Sequence, residues 1–114
     1  MGTRGPIQDF EGIAMSEDVA DFMLKRLREW GVEHVFAYPG DGINGLVSAF
    51  GRAGNKPRFI QARHEEMAAF QATGYAKFSG KVGVCMATSG PGAIHLLNGL
   101  YDACLLYTSP SPRD

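Results

Sequence analysis

Apolar residues along this chain alternate between helical spacing and short continuous runs. From Ser16 onward, Val19, Phe22, Met23, Leu27 and Trp30 recur three and four apart. Ser16 stands as the expected N-cap, Glu17 and Asp18 as first-turn acids, and Gly31 as the stop. His34-Val35-Phe36-Ala37-Tyr38 then predicts a buried strand, ended by Pro39-Gly40-Asp41-Gly42. Ile43 to Phe50 predicts a short helix closed by Gly51 and Gly54, and Arg58 to Ala62 a second short strand.

His64 to Ser79 predicts an Ala-rich helix in which Met67, Phe70, Tyr75 and Phe78 supply the bulk, with Gly80 as its C-terminal stop. Its small residues, Ala68, Ala69, Ala72, Gly74 and Ala76, would let another element approach closely. Val82 to Ala87 is a nearly continuous apolar run, the pattern of a strand buried on both faces of a parallel sheet. Thr88-Ser89-Gly90-Pro91-Gly92 is the turn after it, and Ala93 to Ala103 the last helix, with Ile94, Leu97 and Tyr101 on one face. Three strand-to-helix units in a row imply an α/β fold, a partial doubly wound parallel sheet with right-handed crossovers. In the flavodoxin-like order 2-1-3, the loops after strands one and three meet at the switch point where such sheets bind ligands.

Composition narrows the function. The 114 residues, 45% apolar, suit one globular domain. Eleven Lys and Arg against 12 Asp and Glu, without long single-sign runs, lack the electrostatic footprint of a nucleic-acid binder. No apolar window approaches the roughly 20 residues of a membrane span, and no signal-peptide layout opens the chain, so a cytoplasmic location is expected. Cys85 and Cys104 form neither a metal spacing nor a disulfide framework, and Cys85 reads as core.

The two Gly-rich loops would expose backbone amides beside helix N-termini, while the loop after strand two delivers His64 and Glu65 to the same crevice. Taken singly these features are ordinary. Glu65 could be a first-turn acid that complements the helix dipole, and Ser89 to Gly92 a turn with Pro91 near the first helical position. Glu66 points to another side of the helix, and His64 and His95 read as structural histidines.

Together the motifs are specific. Tyr38-Pro39-Gly40-Asp41, Arg63-His64-Glu65 and Thr88-Ser89-Gly90-Pro91-Gly92 stand in the order and spacing of one family. From Ser16 to Ala103 the chain resembles the N-terminal, pyrimidine-binding domain of the thiamine-diphosphate enzymes, the group of pyruvate oxidase, acetolactate synthase and pyruvate decarboxylase. His95-Leu96-Leu97-Asn98-Gly99-Leu100-Tyr101-Asp102 looks most like the pyruvate oxidase branch. The resemblance implies thiamine diphosphate as cofactor and Glu65 as the catalytic carboxylate. Glu65 would hydrogen-bond the aminopyrimidine ring and favour the imino tautomer that takes the thiazolium proton. It also implies a pyrimidine site formed by Tyr38, Pro39, Gly40 and Asp41 with Ser89, Gly90, Pro91 and Gly92, mostly through backbone.

By the same resemblance the parent enzyme would decarboxylate pyruvate or a related 2-keto acid. An acetolactate synthase-like carboligase is the alternative, and a non-catalytic flavodoxin-like binding module the alternative outside enzymes. Mg²⁺ and the diphosphate would be held by a later domain, outside this chain, and FAD is admitted as electron acceptor. Gly40-Asp41-Gly42 imitates the start of the metal-diphosphate motif but follows the wrong strand. A homo-oligomer, dimer or tetramer, is implied, with peripheral membrane contact left open.

Three segments follow. Met1 to Ala14 lacks periodicity and reads as a disordered leader, with Met15 as the natural start. Met15 to Ala103 is a partial pyrimidine-binding domain. Cys104 to Asp114 resembles translated sequencing adapter and is set apart from the fold, so this chain alone is expected to be an inactive fragment of marginal stability, with an uncovered sheet edge.

Overall fold

The computed structural model describes residues 17–107. The expected leader, the N-cap candidate Ser16 and residues 108–114 lie outside the described residues. Helix α1, Val19–Glu29, is capped by Asp18 rather than by Ser16. The Asp18 carboxylate accepts the Asp21 amide at 2.8 Å, and the Asp21 carboxylate accepts the Asp18 amide in return. Arg52, from the next helix, reaches Asp18 at 3.1 Å and Asp21 at 3.0 Å and so ties the two helices at their ends.

The face that α1 buries also differs from expectation. Leu24 is only 2% exposed, with Ala20 and Leu27 packed beside it, whereas Val19, Phe22, Met23 and Trp30 remain exposed. Ala20, Leu24 and Leu27 recur four and three apart and form the true core stripe.

Strand β1, His34–Ala37, is the centre of a parallel sheet of order β2-β1-β3, flanked by β2, Arg58–Gln61, and β3, Cys85–Met86. His34 stands opposite Arg58, Ala37 opposite Gln61, and Phe36 opposite Cys85. The order is the expected one, but β3 is shorter than the expected Val82 to Ala87, and its residues are only half-buried. Its sole strand partner among the described residues is β1, through Phe36 N to Val84 O at 3.0 Å and Tyr38 N to Met86 O at 3.3 Å. At the run's start, Gly83 is pressed so closely on the Ala72 carbonyl that a Cβ would collide with it.

After β1 a 3-10 turn, Asp41–Ile43, leads into α2, Asn44–Arg52, which buries Ala49 and Phe50. Leu24, Val35, Ala37, Ala49 and Phe50 form the core beneath α1 and α2. Phe36, Ala62, Ala68 and Ala72 form a second core beneath α3, Glu65–Ser79, so helices cover both faces of the sheet. Helix α3 ends at Gly80, whose φ of +74° suits glycine. Its buried side is Ala68, Ala69, Ala72 and Thr73, while Met67 and Phe78, expected to supply bulk, face outward, Phe78 at 96% exposure.

The last helix is broken in two: α4, Pro91–His95, and α5, Leu97–Tyr107. At Leu96 the amide turns to the carbonyl of Ala93, three residues back, at 3.2 Å. The break lets α5 lie against α3. Gly99 is buried where a Cβ would strike Ala69, and the Thr73 hydroxyl donates to the Ala69 carbonyl at 3.0 Å and lies 3.3 Å from that of Gly99. Ile94, Leu97 and Tyr101, the expected apolar face, are exposed. Helix α5 includes Cys104 to Tyr107, which the sequence had set apart from the fold. No helix among the described residues is long and apolar enough to cross a membrane.

Candidate active site

The loop after β1 meets the turn after β3 at the Thr88 side chain, and Glu65, after β2, reaches Gly92 of that turn. A Cβ on Gly40 would lie 2.7 Å from Thr88 Cγ2, and one on Gly42 would lie 2.5 Å from Thr88 Oγ1. A Cβ on Gly92 would lie 3.0 Å from Thr88 Cγ2 and 3.4 Å from Glu65 Oε2. The absent side chains let the loop after β1, the turn after β3 and the N-terminus of α3 approach one another. Gly40 and Gly42 therefore have a packing reason to be glycine that needs no metal.

Glu65 is the first residue of α3, and its side chain is only 12% exposed. Extended backbone at His64 sets it there, because His64 is the N-cap and its ring Nδ1 accepts the Glu66 amide at 3.1 Å. Glu65 Oε1 lies 3.0 Å from His95 Nδ1 and 3.7 Å from His64 Nε2. The two histidine rings are 4.5 Å apart between centroids. Glu65's own backbone amide and the His95 hydrogen bond hold its carboxyl below the usual 4.5, outweighing partial burial, and the nearby histidine charges add to this. Glu65 is consequently an anion at neutral pH. Glu66 turns away, and its carboxylate accepts from the Asn98 amide on α5.

His64, Glu65 and His95 place donor atoms within 4.8 Å of one another, a set that zinc uses elsewhere. The polarity is wrong for a metal. An Nδ1 that accepts the Glu66 amide puts the His64 proton on Nε2, the atom facing Glu65, so the ring presents N–H there rather than a lone pair. The trio as folded is a hydrogen-bonding cluster around one carboxylate.

The other residues nominated from the sequence differ in exposure. Pro91 is the first residue of α4 and Gly92 is buried behind it, while Ser89 and Gly90 are exposed, Gly90 with a φ of +73°. Tyr38 is exposed, Pro39 and Gly40 are partly buried, and Asp41 lies exposed in the 3-10 turn. The contact between His95 and Glu65 was not legible in advance, because it joins residues 30 apart through the orientation of a five-residue helix. A separate groove of 410 Å³ between α3, β3 and α5, lined mostly by Ala, Leu and Gly with Thr73 and Cys85, does not include Glu65. Burial there raises the Cys85 thiol above its usual range.

Residues 17–108 match the family model described as "Thiamine pyrophosphate enzyme, N-terminal TPP binding domain". The chain is 53% identical over 81 residues to the "Putative thiamine pyrophosphate-containing protein YdaP" of Bacillus subtilis, covering 71% of this chain and 14% of that protein. It is 46% identical over 81 residues to the pyruvate oxidase of Lactiplantibacillus plantarum, covering 71% of this chain and 13% of the oxidase. It is 48% identical over 86 residues to the chloroplastic acetolactate synthase of Arabidopsis thaliana, covering 75% of this chain and 13% of the synthase. The aligned part thus spans about one seventh of YdaP, with similar shares of the other two.

Proposed function

Because the chain belongs to the thiamine pyrophosphate enzymes, as their N-terminal TPP binding domain, we propose that it supplies the pyrimidine side of an active site that decarboxylates pyruvate or a related 2-keto acid. The observation that carries this reading is Glu65: an ionised, largely buried carboxylate at a helix start, beside Gly92 of the turn that meets the loop after β1. The residues fit an aminopyrimidine, since a carboxylate can accept from a protonated ring nitrogen while exposed backbone in Ser89 and Gly90 can meet the ring's amino edge. Thiamine diphosphate, when bound, supplies the carbon nucleophile and the electron sink of the decarboxylation.

This chain's own residues do the rest. Glu65 accepts and returns a proton at the ring nitrogen. Gly40, Gly42 and Gly92 let their two loops close on Thr88, and Pro91 fixes the start of α4 beside them. Tyr38, Pro39 and Asp41 form the rim from the β1 side. Mg²⁺ and the diphosphate would be bound by residues beyond this chain, as would FAD if the acceptor is a flavin, and the oligomer would be completed by a second subunit.

A carboligase reading is favoured by the acetolactate synthase relative, whose 48% identity is level with the oxidase's 46%. Carbon dioxide release from pyruvate by the full-length protein, with added thiamine diphosphate and Mg²⁺, tests the common step. Release accompanied by reduction of an electron acceptor supports the oxidase, and release accompanied by acetolactate the carboligase. No release from pyruvate or other 2-keto acids would reject the proposal.

A further inference from the structure

The geometry points to His95 as the positioning residue of this site: its Nδ1–H clamps Oε1 of Glu65, so that the carboxylate turns Oε2 toward Gly92 and the turn after β3. The inference rests on the thiamine reading for its purpose, but the clamp is a property of this chain alone. Oε1 is engaged from one side by His95 Nδ1 at 3.0 Å and approached by His64 Nε2 at 3.7 Å. Oε2 is the oxygen that lies toward Gly92, 3.4 Å from where a Cβ would stand, on the side of Thr88 and the Gly40 to Gly42 loop. A carboxylate rotates freely about its last bond unless one oxygen is held. Glu65's own backbone amide also holds the carboxyl, and His64 adds only a long contact because its ring caps α3, so His95 supplies the hydrogen bond from outside α3.

His95 is itself fixed by the chain. It is the last residue of α4, which Pro91 starts, and the turn at Leu96 lets α5 diverge immediately afterward. The ring of His64 lies against it, 4.5 Å between centroids, on its approach to Glu65. The titratable groups placed at the carboxylate are therefore His64 from the N-cap of α3 and His95 from α4, while Glu66 is drawn off toward Asn98.

Two substitutions separate clamping from mere packing. Asn places an amide N–H near the position of imidazole Nδ1 without a titrating ring, whereas Leu keeps bulk and offers no donor. The Glu65 carboxyl is followed by ¹³C NMR titration in the full chain as wild type, His95→Asn and His95→Leu, and the affinity of 4-amino-5-hydroxymethyl-2-methylpyrimidine is measured for each. The expected result is that His95→Leu moves the Glu65 titration to higher pH and weakens pyrimidine binding about tenfold or more, the loss of a hydrogen bond to a charged group. His95→Asn should restore both. An unchanged Glu65 titration in His95→Leu overturns the clamp, and a shifted titration with unchanged pyrimidine affinity overturns the positioning role. Failure of the wild-type chain to bind the pyrimidine counts against the thiamine reading, and the titration then still decides whether the clamp exists.

Discussion

Glu65 packs against Gly92: the Glu65 Oε2 atom lies 3.4 Å from where a Gly92 Cβ would be, with Thr88 Cγ2 at 3.0 Å from the same point. The carboxylate and the turn after β3 are thus mutually adjusted, although each comes from a different strand-to-helix unit. A side chain at residue 92 would press on both Thr88 and the Glu65 carboxylate.

Gly92→Ala should therefore act on binding more than on folding. Helix propensity favours Ala by about 1 kcal/mol, which offsets the crowding against Thr88, so the urea midpoint should move little. Thiamine diphosphate affinity of the full-length protein should fall about tenfold or more. Calorimetric titration of the variant checks this, and undiminished affinity would show that the seat of Oε2 and Thr88 against Gly92 does not bear on binding.

Gly99 tests packing rather than chemistry. A Cβ there would strike Ala69 and part α5 from α3, with loss of the contact between Thr73 and the Gly99 carbonyl. Gly99→Ala should destabilise the fold by about 1 to 3 kcal/mol, the usual cost of overpacking. Denaturant unfolding of the full chain measures it, and a stability equal to wild type would contradict the close seat of α5.

Leu24 anchors α1 on the core at 2% exposure. Leu24→Ala should cost about 2 to 5 kcal/mol, whereas Phe22→Ala, on the exposed side, should cost far less. The same unfolding experiment ranks the two, and a larger loss from Phe22→Ala would mean that α1 buries the face the sequence first suggested.

Acid should weaken the fold through Glu65. Its folded carboxyl is lowered by its own backbone amide and by His95, so its contribution is present above 4.5, the ordinary glutamate value. As pH falls below that value and through the lowered folded one, the contribution is lost. Glu33, lowered mainly by Lys81, acts in the same direction. Glu65→Gln should flatten the decline of the urea midpoint in this range, and an unchanged slope would show that Glu65 is not held as an anion.

The parts of this molecule that were readable in advance are those punctuated by glycine and proline. The end of β1 at Tyr38-Pro39-Gly40, the stop of α3 at Gly80 and the convergence of the loops follow from local chain chemistry. The core face of α1 was not readable, because apolar residues ring the helix and only contact with α2 and the sheet selects Leu24 over Phe22. The length of β3 depends on partners, since an apolar run pairs only as far as a neighbour lies beside it. The break at Leu96 escaped for a similar reason: nothing in Ala93 to Ala103 forbids one continuous helix, and the seat of Gly99 on Ala69 is a tertiary fact. With that break went the bond between His95 and Glu65.

The most direct test is the exchange rate of the thiazolium proton of bound thiamine diphosphate, followed by NMR in the full-length protein and its Glu65→Gln variant. Removing the carboxylate from the pyrimidine nitrogen should slow exchange by about 100-fold or more, the usual scale for a positioned acid-base group. Exchange as fast in Glu65→Gln as in wild type would contradict the role assigned to Glu65.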